Sequence, residues 1–305
     1  MSSSSDVAVI IPTYFRNDTL LDAIASVLEQ TTPPAEVLVI DDSGERHAAD
    51  TCAEFVDVTY LPLDENQGPQ RAREIGLSNS TSQYVQFFDD DDRLREDAIE
   101  KRRDVMDAEN DIGVVYSAIQ WDHGGIDRPR PNDVEDSLAS ALAFDIAACT
   151  TSNMLIDRRY LEPIRPITGR YTGAGDLALA IWLAEQCLFA YVDEPLLLAR
   201  ATDSSLGVSI QAIESRSAII EDFDEQYARY PDHVKRRAIA DTWSLEGRRH
   251  LAEHPWSARA IHAFARAVYA EPGGSPYRWA ELVSSFGGRP TRELAVRMRH
   301  AFSST

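Results

Sequence analysis

The sequence predicts an α/β fold in which a mostly parallel sheet is flanked by helices and followed by a helical C-terminal segment. Two observations support this prediction. Short apolar runs rich in β-branched and aromatic residues alternate with helical patterns over residues 1–115, whereas the chain after about Ile210 reads as helical throughout. Strands that are separated by helices pair in parallel through right-handed crossovers, so the first part of the chain should contain a parallel sheet.

The strands follow from continuous apolar runs. The runs VAVII, EVLVI, YVQFF and IGVVY predict strands buried on both faces, at residues 7–11, 36–40, 84–88 and 112–116. Residues 58–61 form a weaker candidate, and the FAYVDEPLLLA run predicts a further short strand.

The helices follow from apolar residues at helical spacing. Between the first two strands, Leu21, Ile24 and Leu28 recur at this spacing behind an expected cap at Asn17 or Asp18. Further helices are expected on either side of YVQFF, from Gly68 and from Arg95, and DLALAIWLAE predicts another. The polar composition of residues 122–136 predicts a loop.

Composition limits the function. A formal net charge of -20 argues against nucleic-acid binding, because phosphate would be repelled. The acidic, lysine-poor composition is typical of proteins from salt-loving organisms. Three cysteines without metal-ligand spacing suggest reduced thiols in a cytosol. We expect no signal peptide at the MSSSSD start and no membrane-spanning helix, since no apolar run approaches ~18 residues.

Polar clusters follow three of the predicted strands: PTYFRN, DDSG and DDDD. In parallel sheets the ligand crevice lies beyond the carboxyl ends of the strands, so these clusters should meet at one edge. The oxygens of Asp89 and Asp91 are hard ligands that suit Mg²⁺ or Mn²⁺ and could bridge to a diphosphate. The alternative for this acidic run is a solvated turn.

Other residues at this edge allow two interpretations each. Asp41 or Asp42 could accept hydrogen bonds from a base or a ribose, or could simply form a turn. Arg71 and Arg73 could brace the acidic residues or contact phosphate. Gly68 could allow close approach of the backbone to a ligand, or could be an ordinary turn glycine.

Taken together, these motifs resemble the nucleotide-sugar domain of the family-two glycosyltransferases. The resemblance is carried by VAVIIPTYFRN, VLVIDDSG, ENQGPQRARE and YVQFFDDDD, and it continues through TGAGDLALAIWLAE to DEPLLLARATDSSLG, over roughly residues 6–208. It implies the GT-A fold, a Rossmann-like α/β fold with a mostly parallel sheet. The donor-binding residues implied by the motifs are Pro12, Thr13, Tyr14, Asp41, Gly68, Arg71, Asp89 and Arg200.

The resemblance also implies the metal and the base. Asp89 and Asp91 match the ends of the DxD motif, with Asp91 the direct ligand of Mg²⁺ or Mn²⁺, and Asp176 matches the catalytic base of inverting members. Two positions depart from the family pattern. Gly175 replaces the usual glutamate before the base, and Thr202 replaces a histidine that helps to hold the metal. Without the family pattern, Asp176 reads as a helix cap.

The sequence therefore predicts a cytoplasmic, metal-dependent, inverting glycosyltransferase that uses a nucleotide-diphospho-sugar, UDP-linked or alternatively GDP- or dTDP-linked. The rival interpretations are a sugar-nucleotide pyrophosphorylase, which would need a glycine-rich loop after the first strand, and an inactive nucleotide-sugar-binding scaffold. Residues 1–209 should form the catalytic domain and residues 210–305 a helical appendage.

The end of the chain is basic. Residues 234–305 carry 12 Lys and Arg against 6 Asp and Glu, and RPTRELAVRMRHAF reads as an amphipathic helix. Such a helix could rest on an anionic membrane near a glycan or lipid-linked acceptor, or could pack on the protein.

Overall fold

The structure is a computed structural model that describes residues 5–167, 171–201 and 209–291. The strands in this part of the chain are β1 (Ser5–Thr13), β2 (Pro34–Asp41), β3 (Val58–Pro62), β4 (Tyr84–Phe87), β5 (Arg93–Leu94), β6 (Ile112–Trp121), β7 (Ile126–Asp127), β8 (Leu155–Asp157) and β9 (Leu188–Ala199).

Helices precede and follow these strands. They are α1 (Asn17–Leu28), α2 (Ala49–Ala53), α3 (Pro69–Ser78), α4 (Ala98–Met106), α5 (Pro131–Glu135), α6 (Ser137–Leu142), α7 (Arg158–Leu161), α8 (Gly175–Ala184), α9 (Ile210–Asp222), α10 (Asp224–Tyr227), α11 (Asp232–Glu253), α12 (Ala258–Ala270) and α13 (Pro276–Ser285). Short 3₁₀ helices occupy Thr151–Asn153 and Glu162–Ile164. Of the described helices, none is both long and apolar enough to cross a membrane.

The chain divides into two units. The first contains residues 1–138, 146–169 and 176–203, and the second contains residues 139–145, 170–175 and 204–305.

The first unit is built on one mixed sheet with the strand order β3-β2-β1-β4-β8-β6-β9-β5, and β7 pairs with β6. Strands β3, β2, β1 and β4 are parallel, as the sequence predicted. Strand β8 is antiparallel to both of its neighbours, β4 and β6, whereas β6 and β9 are parallel. The parallel half places the carboxyl ends of β1, β2 and β4 at the same edge.

Both faces of β1 are covered by helices. Val9 and Ile11 face a core that includes Ile24 of α1, while Ile10 faces a second core that includes Leu77 of α3. Alternation along β1 explains this division, because successive side chains of a strand point to opposite faces. Burial of each such aliphatic side chain contributes about 1.5–3 kcal/mol, so the two cores fix the position of β1 in the sheet.

Helix α3 approaches β1 closely because it carries a glycine at the contact. A Cβ atom on Gly76 would lie 2.3 Å from Ile10 Cγ2, well inside van der Waals contact. The absence of a side chain therefore lets α3 lie directly against the sheet, with its first turn near the edge where the strands end.

Three local predictions were wrong. Helix α1 already includes Asn17 and is preceded by Arg16, so neither Asn17 nor Asp18 caps it. Leu21 is exposed because the buried stripe of α1 runs through Leu20, Ile24 and Val27, one residue away from the predicted face.

The third error is the loop expected at residues 122–136. That segment contains strand β7 and helix α5 instead. Within it, Asp133 is buried and its carboxylate accepts hydrogen bonds from the Arg130 backbone N–H and side chain, contacts that a polar sequence text does not reveal.

The second unit is helical where it is described. Helices α11 and α12 pack through Gly247, whose hypothetical Cβ would lie 2.7 Å from the Phe264 ring. The segment of residues 139–145 joins this unit, and Tyr227 donates to the Leu142 carbonyl at 2.6 Å. Most of the predicted basic helix, residues 292–302, lies outside the described residues.

Candidate functional site

The four consecutive aspartates follow β4 at the edge where the parallel strands end. The backbone N–H groups of Phe88 and Asp42 donate to Ile10 and Thr13 carbonyls at 2.8 and 2.9 Å, which ties the three strand ends together. Asp89 to Asp92, hereafter the acidic turn, closes with a 3.3 Å hydrogen bond from the Asp92 N–H to the Asp89 carbonyl.

Two members of the acidic turn are bound by the last residue of β1 and by a residue shortly after it. The Thr13 hydroxyl donates to Asp90 Oδ2 at 2.7 Å. Arg16 Nη1 donates to Asp90 Oδ1 at 3.2 Å and to Asp91 Oδ2 at 2.6 Å. Burial nevertheless raises the pKa of Asp90 to about 6. Thr13 was predicted at this edge, whereas Arg16 was not singled out.

Asp89 is the most open carboxylate of the acidic turn. Its side chain is 42% exposed and pairs with Arg73 of α3, Nη2 to Oδ1, at 2.7 Å. The side chain of the predicted Arg71 is exposed and forms no hydrogen bond or ion pair with the described residues, whereas Arg73 is buried. Of the two arginines on α3, Arg73 is therefore the one that braces the acidic turn.

Asp92 is buried behind the turn. The Ser152 hydroxyl lies beside its carboxylate and acts to lower its pKa, and the Arg200 backbone N–H lies 3.4 Å from its Oδ1. Burial, together with the nearby charge of Asp89, raises the pKa of Asp92 to about 8. The sequence carried no signal for Ser152, because its partners lie about 60 residues earlier in the chain.

Arg200 contributes positive charge at the same place. The Arg200 guanidinium acts to lower the pKa of Asp91, although burial outweighs it and the net shift is upward. Residue Thr202, where the family pattern has a histidine, lies outside the described residues.

The carboxylates after β2 are directed inward. Asp41 is 1% exposed and accepts hydrogen bonds from Ser43 N–H at 3.0 Å, Ala48 N–H at 2.8 Å and the Tyr60 hydroxyl at 2.7 Å. Burial acts to raise the pKa of Asp41, but these donors outweigh it and hold the pKa below its usual value. In this arrangement Asp41 holds the loop after β2, and its role in reading a base stays a prediction.

Asp42 supports the neighbouring loop. Its two oxygens accept from the N–H groups of Gln67 and Gly68 at 2.7 and 2.8 Å. Gly68 has φ of 83°, a conformation that favours glycine, and nothing lies within 4 Å of its hypothetical Cβ. The glycine is therefore required by the backbone, and the space beside it is open.

Aromatic side chains stand at the end of β1. Tyr14 is 50% exposed, and its ring meets Phe15 edge to face at 4.7 Å. Phe15 has a positive φ of 54° and lies 4.8 Å from the His47 ring, which Asn17 contacts. With the half-buried Pro12 they form an open surface beside the acidic turn. Phe15 and His47 were not predicted.

Asp176 lies on a separate element of the first unit. It is the second residue of α8, inside the first turn rather than before it, and is half-buried. Its charge acts on Cys149, whose pKa is raised first by burial and then by Asp176. Cys149 leads into the Thr151–Asn153 turn that carries Ser152. No hydrogen bond joins Asp176 to the acidic turn among the described residues.

The acidic turn suits a hard cation that is shared with a ligand. The described residues contain no group of three or more His, Cys, Asp or Glu side chains placed to hold a metal ion. A cation here would use one or two carboxylates and draw its remaining oxygens from phosphate and water, as Mg²⁺ commonly does. The open Asp89 and the adjacent Asp91 supply oxygen donors of this kind.

Comparison by sequence gives a consistent result. Residues 8–165 match the model of a family described as Glycosyl transferase family 2. A curated relative, the putative teichuronic acid biosynthesis glycosyltransferase TuaG of Bacillus subtilis (strain 168), is 33% identical over 106 residues, which make up 33% of this chain and 41% of TuaG. The chain spans less than half the length of the curated relatives that it matches, 18% to 41% in three of them.

Solved structures resemble nearly the whole chain. S. aureus TarS 1-349 in complex with UDP has a TM-score of 0.59 at 18% identity, covering 96% of this chain and 87% of its own. The mannosyltransferase PcManGT from Pyrobaculum calidifontis, in complex with GDP-Man and Mn2+, has a TM-score of 0.58 at 19% identity, covering 97% and 84%. At these identities the likeness shows the fold alone.

The position of Asp41 generates a stability prediction. Asp41→Asn should lower the free energy of unfolding by about 2–3 kcal/mol, because an amide NH₂ would face a backbone donor inside the protein. Urea unfolding measures this loss, with the exposed Asp64→Asn as control. Since folding lowers the pKa of Asp41, its contribution is present above about pH 4 and is lost as pH falls through the folded-state pKa. The difference in unfolding free energy between the unsubstituted chain and Asp41→Asn should therefore shrink as the pH falls. Equal stability of the two at pH 7 would show that Asp41 does not hold the loop after β2.

Proposed function

Because the chain belongs to glycosyl transferase family 2, we propose that it transfers a sugar from a nucleotide-diphospho-sugar to an acceptor hydroxyl. Membership confirms the family that the sequence resembles, and the solved structures support the GT-A fold that the resemblance implied. The single observation that carries the proposal is the meeting of the Asp89 and Asp91 carboxylates with the cationic side chains of Arg16, Arg73 and Arg200 at one edge of the sheet.

Such a mixture of charges suits a diphosphate that arrives with a divalent cation. Guanidinium groups bind phosphate oxygens, and carboxylates bind the cation. A purely acidic edge would repel the diphosphate, whereas a purely basic one would leave no place for the metal. We propose that the donor site uses the residues Pro12, Thr13, Tyr14, Asp41, Gly68, Arg71, Asp89 and Arg200, with Asp41 acting through the loop that it holds.

The nucleobase would lie on the open aromatic surface of Tyr14 and Phe15. UDP is the proposed nucleotide, since the related fold of TarS has been solved with UDP and with UDP-GlcNAc. GDP stays open as an alternative, because PcManGT was solved with GDP-Man.

We propose Mg²⁺ or Mn²⁺ as the cofactor, held by Asp91 and Asp89 together with diphosphate oxygens and water. When bound, the cation would offset negative charge on the departing nucleoside diphosphate. Arg73 keeps one Asp89 oxygen in a fixed position. Arg16 does the same for Asp91, and it is the residue that would have to share this carboxylate with the metal.

Asp176 is proposed as the general base of an inverting reaction. Its carboxylate would take the proton of the acceptor hydroxyl while that oxygen attacks the anomeric carbon, and the bond from this carbon to the diphosphate oxygen would break with its electrons leaving on the diphosphate. Asp176 lies in the first turn of α8, where the helix dipole favours a charged carboxylate. Gly175, in place of glutamate, leaves Asp176 as the acidic member of this pair.

The two rival functions have less support. A sugar-nucleotide pyrophosphorylase would want a glycine-rich loop after β1, and PTYFRN contains no glycine. An inactive nucleotide-sugar-binding scaffold would bind donor in the presence of metal but not turn it over. Donor turnover therefore separates the scaffold from the enzyme.

The acceptor is proposed to be a glycan or a lipid-linked glycan, handled by a cytoplasmic protein at the inner face of the membrane. The basic composition of residues 234–305 favours contact with anionic lipid. Trp279, Val283 and Phe286 lie on one exposed face of α13 or just beyond its end, as interfacial apolar side chains do. The alternative is that the last residues pack against the helical unit.

The metal assignment is tested by Asp91→Asn. Donor binding with Mn²⁺ should weaken at least about tenfold, since one charged oxygen ligand is lost, while the fold is retained. Calorimetry with UDP and a panel of UDP- and GDP-sugars, in salt up to molar concentration, measures the change. The matched control is Asp57→Asn, which removes an exposed charge at the opposite ends of the strands. If the affinity for the donor is unchanged both by the Asp91 substitution and by a chelator, Asp91 does not hold a metal ion.

The base assignment is tested by Asp176→Asn, which retains the size of the side chain but cannot accept the proton. Donor affinity should stay near that of the unsubstituted chain, whereas the transfer rate should fall by about 10²–10⁴-fold. Glu185→Gln, just beyond the other end of α8, is the control. Unchanged transfer would show that Asp176 is not the base, and Asp92 would be the next candidate.

Membrane contact is tested by a chain that ends at Thr291, which removes Arg292, Arg297 and Arg299 but keeps the bonds of Arg289 to the Leu251 carbonyl and of its N–H to the Pro255 carbonyl. The full chain should float with anionic liposomes and not with neutral ones, and the shortened chain should stay folded but not float. If shortening instead lowers the unfolding temperature and leaves flotation intact, the segment packs on the protein.

A further inference from the structure

A fully buried arginine lies inside the first unit, and it forms no ion pair with the described carboxylates. Arg102 of α4 is 0% exposed, and its Nη2 donates to Asn153 Oδ1 at 2.6 Å and to Ser117 Oγ at 2.9 Å. Its Nε and Nη1 atoms have no hydrogen-bond partner among the described residues. Burial lowers the pKa of Arg102 to about 9, so the group remains charged at neutral pH.

Such a charge is unfavourable for stability. A buried ion without a counter-ion loses its hydration and recovers only part of it through neutral oxygens. An apolar side chain of the same length would serve packing at least as well. The position of Arg102 therefore calls for a role other than packing, and its two partners indicate one.

We call Arg102, Ser117 and Asn153 the anchor cluster. Within it, Arg102 and Ser117 hold the Asn153 amide in one orientation. The amide oxygen accepts from Arg102 and from the Ser117 hydroxyl, the latter at 2.8 Å. The amide nitrogen donates to the carbonyls of Ser117 and Ala148 at 2.6 and 2.7 Å. Both ends of the amide are thus used, and Asn153 cannot turn without losing its hydrogen bond from the guanidinium.

The residue before Asn153 contacts the acidic turn at both of its ends. The Ser152 hydroxyl accepts from the Asp89 backbone N–H at 3.1 Å and lies close enough to the Asp92 carboxylate to act on its pKa. The Ser152 carbonyl accepts from Gln86 Nε2, within β4, at 2.9 Å. One buried hydroxyl therefore joins the first and last residues of the turn, and its backbone is held next to β4.

We propose that Ser152, held by the anchor cluster, is a positioning residue that sets the geometry of the acidic turn. Its role in catalysis rests on the proposed function, because the turn places the carboxylates that meet the donor's diphosphate. Asn153 is bound to Arg102 of α4 and Ser117 of β6, so these two elements fix the position of the neighbouring Ser152. Ser152 in turn fixes the position of the acidic turn. A carboxylate cluster that repels itself needs such a constraint in order to keep one geometry.

The first experiment needs no ligand. Amide hydrogen exchange of the Asp89 N–H is followed in the free chain, in Ser152→Ala and in Arg102→Met. Ser152→Ala removes the acceptor of the Asp89 N–H, and Arg102→Met removes the guanidinium that holds Asn153. Each change should speed exchange at Asp89 about tenfold, the usual effect of losing one hydrogen bond. Arg102→Met should do so without lowering the unfolding temperature, because it also removes an unpaired buried charge.

Ser80→Ala is the matched control. Ser80 is a buried serine whose hydroxyl likewise accepts a hydrogen bond, from Arg158 Nη2 at 2.7 Å, but it lies just beyond the far end of α3. Exchange at Asp89 should be unchanged in this variant. If Asp89 exchange is also unchanged in Ser152→Ala or in Arg102→Met, the positioning role is excluded, whatever the protein binds.

The second experiment measures the consequence. Calorimetry with UDP and Mn²⁺ should show about tenfold weaker binding in Ser152→Ala and in Arg102→Met, and unchanged binding in Ser80→Ala. Faster exchange with unaltered UDP affinity would contradict the link from the turn to the donor. If the unsubstituted chain binds no nucleotide at all, the proposed function fails, and the exchange data alone decide whether Ser152 positions the turn.

Discussion

Repulsion among the carboxylates of the acidic turn is the constraint on which the arrangement of this edge of the sheet depends. Two unit charges 4 Å apart interact by about 4 kcal/mol at the dielectric of a protein surface, so the acidic turn is unstable without compensation. The compensating groups come from different parts of the chain: Thr13 at the end of β1 and Arg16 shortly after it, Arg73 on α3, and Ser152 in a 3₁₀ turn. The parallel alignment of β1 and β4 is what brings the first of these within reach.

The carboxylates at this edge have different structural positions. Asp41 and Asp42 are buried, and their oxygens are occupied by the N–H groups of the loops that follow β2 and β3. Asp89 is partly open, and one of its oxygens is bound by Arg73. Most of the carboxylates at this edge already accept hydrogen bonds from backbone N–H groups. Although the protein is acidic, few carboxylate oxygens at this edge are therefore free to bind a ligand. These hydrogen bonds make the loops after β2 and β3 more rigid, and the groups around the open carboxylate oxygens keep fixed positions.

Much of the fold could be predicted from the sequence because apolar runs and helical spacing are local signals. The parallel strands, the helical C-terminal part and the meeting of the strand ends follow from them, and the family resemblance added the GT-A fold. The contacts that define the site are not local. Ser152 is 63 residues from the amide that it binds, and Arg16 is 74 residues from Asp90. Nothing in the sequence distinguishes Arg73, which pairs with Asp89, from Arg71, which is exposed; only the rotation of α3 on the sheet decides it.

The same dependence on tertiary position explains the local errors. A shift of one residue in the buried stripe exposes Leu21, and a short helix in residues 131–135 forms around the buried Asp133. The partners of Arg102 could not be anticipated either, because Ser117 and Asn153 belong to a strand and a turn that meet α4 only in the folded chain.

The exposure of Arg16 has a consequence for ionic strength. The Debye length shrinks from about 10 Å at 0.1 M salt to about 3 Å at 1 M, so an ion pair open to solvent weakens as salt rises. Arg16, whose side chain is 43% exposed, would lose part of its hold on Asp91, whereas Arg73, 10% exposed, would retain Asp89. The bond from the Thr13 hydroxyl to buried Asp90, and the Ser152 hydroxyl beside buried Asp92, are shielded from the electrolyte. In concentrated brine the turn would thus keep its shape through hydroxyl groups and Arg73 while Asp91 became more available to an incoming cation.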